Sequence, residues 1–79
     1  MMSEHRALTR RTVMENLIHE NTRELNTIAR ERGTVGVVRE PDGSEVQTRL
    51  VRFTRRAGAL YAYVAYSGQW LQVLKVWSA

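Results

Sequence analysis

The stretch ALYAYVAYSGQWLQVLKVW, residues 59–77, decides the fold. Apolar side chains recur through it with strand-like spacing, and most are aromatic or β-branched. Ser67 and Gly68 interrupt it with the residue types a two-residue hairpin turn prefers. It therefore reads as two antiparallel strands, residues 59–66 and 69–77, with Tyr66 expected opposite Gln69. That register sets Val64 against Leu71 and Ala62 against Val73 on one aliphatic face. The other face holds Tyr61, Tyr63 and Ala65 with Trp70, Gln72 and Leu74. A sheet with one side in water alternates apolar with polar residues, whereas here both faces are largely apolar. One face must meet a helix or a barrel interior, and the other must meet something else.

Upstream, residues 44–54 form a further strand whose apolar positions change parity. Val46 and Leu50 belong to one face, Val51 and Phe53 to the other, which predicts a bulge or sharp bend near Leu50. Residues 55–58 then read as a basic loop. Before this strand, residues 34–39 are β-rich, and Pro41, Asp42 and Gly43 supply a turn in which Pro sets the first central residue and Gly takes positive φ.

The period ahead of Gly33 is helical. Met14, Leu17, Ile18, Leu25 and Ile28 recur at three- and four-residue spacing. Thr12 with Glu15, and Asn21 with Glu24, each have the spacing of a capping box. One helix over residues 12–32 and two short helices meeting near Asn21 both satisfy this pattern. Gly33 after Arg30 and Arg32 is a stop signal. The expected class is α+β in one small domain over residues 1–79. Residues 1–11 lie outside the regular helix, 12–32 are helical, and 34–77 form a bent four-stranded antiparallel sheet in meander order or a small partly open barrel.

A chain of 79 residues buries a modest core, and such chains often gain stability from disulfides, metals or oligomerisation. With no cysteine, disulfides and thiolate zinc sites are removed, so a homo-oligomer is expected, through the last strand or the face bearing Tyr63, Trp70 and Gln72. No window approaches the roughly 18–20 apolar residues of a membrane span, and the start lacks a secretory pattern. The expectation is a cytoplasmic protein without membrane contact.

Catalysis requires convergent groups, and the chain offers few. His5 and His19 lack the spacing and companions of a metal site, and there is neither a phosphate-binding glycine loop nor a nucleophile elbow. A non-enzymatic binding module, with no catalytic residues, metal or cofactor, is expected.

What remains is basic and aromatic. The net charge is +4, eleven of the twelve cations are arginine, and Arg49, Arg52, Arg55 and Arg56 fall within eight residues free of acids. Beside them stand Phe53, Tyr61, Tyr63, Tyr66, Trp70 and Trp77. Aromatics stack on unpaired bases while arginine meets phosphate, so Arg49, Arg52, Arg55, Arg56, Tyr61, Tyr63 and Trp70 are the candidate site for single-stranded nucleic acid, RNA before DNA. The same residue types anchor protein interfaces and fill cores. The alternative is therefore a protein-interaction module of a phage or mobile element that binds or inhibits an acidic host protein.

Leu25, Asn26 and then Arg30, Glu31 and Arg32 before a β segment, followed by Asp42, Gly43, Val46, Gln47, Leu50 and Phe53, have the spacing of a known pattern. Over residues 25–63 the chain resembles the Sm-like (Hfq-like) family. The resemblance implies a helix leading into a strongly bent antiparallel sheet, and a ring-forming RNA binder. Thr48 and Thr54 stand where the family usually has glycine and aspartate, and no Tyr-Lys-His precedes the last strand. The family's uridine-binding residues are therefore not carried over. Phe53 alone falls on a matching position, where the resemblance implies packing beside the RNA site.

Overall fold

The computed structural model describes residues 15–79 as one helix and five antiparallel strands, an α+β arrangement. Helix α1, Thr22–Glu31, is fixed at both ends by residues the sequence marks. The Asn21 side chain accepts a hydrogen bond from the Glu24 N–H at 2.8 Å, which satisfies one of the donors a helix start leaves unpaired. At the other end Gly33 takes φ +86°, and its N–H donates to the carbonyls of Ile28 and Ala29 at 3.1 and 3.2 Å. Glycine accepts that left-handed conformation without steric cost. Leu25 and Ile28 are the buried face of the helix.

The helix does not extend over residues 15–21, which correct the longer helix expected from residue 12. That segment is tied to the sheet instead. The Asn16 side chain accepts from the Val76 N–H at 3.0 Å, and the Leu17 N–H donates to the Val76 carbonyl at 2.6 Å. Leu17 and Ile18 still pack against the core, so the helical spacing of apolar residues is met by a turn followed by a helix. Of the two sequence readings, the break near Asn21 agrees with where α1 starts. The expectations for residues 1–14, including the Thr12 cap, lie outside the described residues.

The strands are β1 Thr34–Arg39, β2 Glu45–Leu50, β3 Arg52–Arg56, β4 Ala59–Val64 and β5 Gln69–Ser78, ordered β2-β1-β5-β4-β3. All pairs are antiparallel. The expected second strand is present but broken. Its bend becomes a one-residue interruption at Val51, which makes five strands of the predicted four. The interruption has a topological consequence. β2 and β3 are the two outermost strands, yet only Val51 separates them, so the sheet must curl until its edges meet at that residue. The expected meander neighbours are all present, and β1 with β5 is an additional pair.

Two turns differ from expectation. The two-residue hairpin connection is Ala57-Gly58, with φ of +50° and +81°, and Arg55 and Arg56 are strand residues rather than loop. The β4–β5 connection is longer: Val64 faces Gln69, and Gly68 donates to the Val64 carbonyl at 2.8 Å. The register is thus two residues away from the Tyr66–Gln69 expectation. A shift of two preserves which face each side chain occupies, so Ala62, Val64, Leu71 and Val73 stay on one face and Tyr61, Tyr63, Trp70 and Gln72 on the other, while Ala65 falls in the connection and a register shift beyond Val73 brings Val76 into the core.

The aliphatic face is the core. Ala62, Val64, Leu71 and Val73 meet Leu50, Phe53, Leu60 and Leu25 there. Gly36 lies on β1 opposite Val76 of β5. A Cβ at that position would lie 2.3 Å from the Lys75 carbonyl oxygen and 2.6 Å from Leu50 Cδ1, so no larger residue fits without movement.

Candidate nucleic-acid interface

Strands β3, β4 and β5 run side by side, and their register builds one cross-strand row from three of the expected residues. Arg52 pairs with Tyr63, and Tyr63 pairs with Trp70. The next row is Thr54, Tyr61 and Gln72, and the one beyond it starts with Arg56 opposite Ala59. Alternation along each strand places all of these on the face opposite the core. The curl of the sheet buries Phe53 and Ala62 beneath them and turns this face outward.

Trp70 is the most exposed aromatic of the rows, at 44 %. Its ring centroid lies 5.7 Å from that of Tyr63 with the planes 63° apart. Such an edge contact orients the indole without stacking the two rings face to face. Trp70 stands between two shallow grooves. One, of about 480 Å³, is lined by Thr54, Arg56, Tyr61 and Trp70, and the other, of about 380 Å³, by Val51, Arg52, Tyr63 and Trp70. Each groove therefore combines one arginine with aromatic surface. No Asp or Glu follows Glu45 in the sequence, so these strands contribute positive charge alone.

No protein-family model matches the chain, and comparison with curated proteins and with solved structures found no significant match.

Five of the seven expected site residues are brought together: Arg52, Arg56, Tyr61, Tyr63 and Trp70. Two are not. Arg55 has the parity of buried Phe53, and its guanidinium donates to the Ile18 and Glu20 carbonyls at 3.1 and 2.7 Å. It is a clamp on the turn before α1. Arg49 lies on β2 in a row with Val35 and Trp77, and its guanidinium rests against Gly33 beyond the helix end. Sequence proximity grouped four arginines that strand parity and the break at Val51 distribute to three places.

Two groove residues were not anticipated. Thr54 shares the parity of Arg52 and Arg56, so strand alternation alone points to it. Val51, 48 % exposed, required knowing that the chain breaks there. The shifted titrations lie elsewhere. Hydrogen bonds from the Ser44 backbone and hydroxyl hold Asp42 below the usual carboxylate range. A hydrogen bond from the Tyr66 phenol to Glu40 raises the phenol above its ordinary value. Among the described residues no three His, Cys, Asp or Glu gather as metal ligands, and no helix is long and apolar enough to cross a membrane.

Proposed function

We propose that this protein is a non-enzymatic module that binds single-stranded nucleic acid, RNA before DNA, on the outer face of β3, β4 and β5. The observation that carries the reading is the Arg52–Tyr63–Trp70 row, with Arg56 at the far side of Trp70. A single strand needs an aromatic platform for a base and cations on either side for the flanking phosphates. Trp70 supplies the platform, with Tyr61 and Tyr63 beside it. Arg52 and Arg56 supply the charge from separate grooves. RNA is placed first because the resemblance to the Sm-like family over residues 25–63 points the same way.

A protein-contact surface would use the same aromatics. The lack of any acid on these strands favours an anionic partner, which leaves an acidic protein as the competing occupant. Binding of a short single-stranded RNA across a range of salt concentrations tests the reading, since phosphate contacts release counterions and give a steep dependence.

A further inference from the structure

We infer that two copies of this protein pair through their β2 edges, with Glu45 of each copy opposite Arg49 of the other. β2 is an outer strand of the sheet, and among the described residues nothing hydrogen-bonds to its outer edge. The other edges are interrupted. β5 pairs with β4 over residues 69–72 and with β1 over residues 72–78, and beyond the β4 pairing its Val76 is held by Asn16 and Leu17. The outer edge of β3 is occupied at Phe53 by Asn26.

The backbone fixes which groups β2 offers. The Glu40 N–H donates to the Ser44 carbonyl at 2.8 Å, which marks residues 40 and 44 as a hydrogen-bonded pair. Alternation in an antiparallel ladder then turns residues 46, 48 and 50 toward β1 and residues 45, 47 and 49 toward the open edge. The side chains of Glu45, Gln47 and Arg49 are also the exposed set of this strand. A closed pair of identical edges is two-fold symmetric and antiparallel, and it must match outward-turned residues with one another. The register centred on Gln47 engages the whole edge. Gln47 meets Gln47, and Glu45 meets Arg49 twice, with about six inter-chain backbone hydrogen bonds. Any register two residues away loses bonds and both ion pairs. Exposed edges commonly carry charge that repels a second copy. Here the two charges are of opposite sign and equidistant from the centre, so self-pairing matches them. The Arg52–Tyr63–Trp70 row is not part of this edge and stays open in the dimer, so this inference stands apart from the nucleic-acid reading.

Sedimentation velocity from micromolar to millimolar concentration tests it. The parent should show a reversible monomer–dimer equilibrium. Glu45→Arg and Arg49→Glu should each raise the dimer dissociation constant about ten-fold or more, because like charges then face each other twice. An equimolar mixture of the two variants should dimerise again, since each mixed contact is complementary. Gln47→Pro removes an outward N–H that β1 does not use, so it should abolish dimerisation while the circular dichroism spectrum is kept. A parent that stays monomeric throughout, or a dimer indifferent to these substitutions, would overturn the inference.

Discussion

The side chain of Asn26 pairs with the backbone of Phe53 at two points. Its Nδ2 donates to the Phe53 carbonyl at 3.3 Å, and its Oδ1 accepts from the Phe53 N–H at 2.8 Å. The amide thus gives edge strand β3 what a sixth strand would give it, and it locks α1 to the sheet. Replacing Asn26 with Leu leaves both groups of Phe53 without partners at a partly buried site. The expected loss is about 1–3 kcal/mol in urea unfolding. Asn26→Asp separates the two bonds, since a carboxylate accepts but cannot donate and would face the Phe53 carbonyl. Asn26→Asp should still lower the denaturation midpoint, through the unpaired Phe53 carbonyl.

Gly36 is expected to tolerate no side chain. With the Lys75 carbonyl and Leu50 Cδ1 already inside contact distance of a would-be Cβ, Gly36→Ala must push β1 away from β5. The cost should reach about 1–3 kcal/mol or more, read as a lower denaturation midpoint.

Ala57 is the opposite case. It holds φ +50° in the β3–β4 turn, a conformation that costs an L-residue with a Cβ but suits asparagine. Ala57→Asn should therefore stabilise the protein by about 1 kcal/mol, with no change in nucleic-acid affinity.

The fold was legible where local chemistry decides and illegible where partners do. Asn21, Gly33 and the turn at Pro41–Gly43 act on backbone within a few residues of themselves, so their roles could be read directly. The parity change at Val51 was also visible, because the core must receive Leu50 and Phe53 from either side of it. The extent of the helix was not, because residues 16 and 17 are claimed by Val76, sixty residues away. The two-residue hairpin was misplaced for a similar reason. Ser67-Gly68 has the better turn composition, but pairing of β3 with β4 imposes the tight turn on Ala57-Gly58. In the candidate site the aromatic rows survived a register error of two residues, since parity was unaffected. The arginines did not, because the break at Val51 and the position of each residue on its strand scatter them.

Tyr66 and Glu40 join the β4–β5 and β1–β2 connections through one hydrogen bond. The phenol should ionise above its ordinary value, and Glu40→Gln should bring it back down, as followed by tyrosinate absorbance. The phenol's folded pKa is raised, so any stability from this contact is present below the unfolded value near 10 and disappears as pH rises through the folded one.

Arg55→Ala separates the clamp from the binding face. It should lower stability by about 1 kcal/mol through the lost contacts to Ile18 and Glu20, and leave the salt dependence of binding as it was.

Binding on the outer face of β3, β4 and β5 is tested most directly by the affinity for a short single-stranded RNA, measured as a function of salt for the parent, for Arg52→Ala with Arg56→Ala, and for Trp70→Ala. The parent should bind at low salt with a steep log–log slope. The double arginine variant should lose affinity and flatten that slope by about one to two, for two lost phosphate contacts. Trp70→Ala should lose about 1–3 kcal/mol of binding at nearly unchanged slope. No binding by the folded parent at low salt, or a slope that ignores Arg52 and Arg56, would contradict binding on that face.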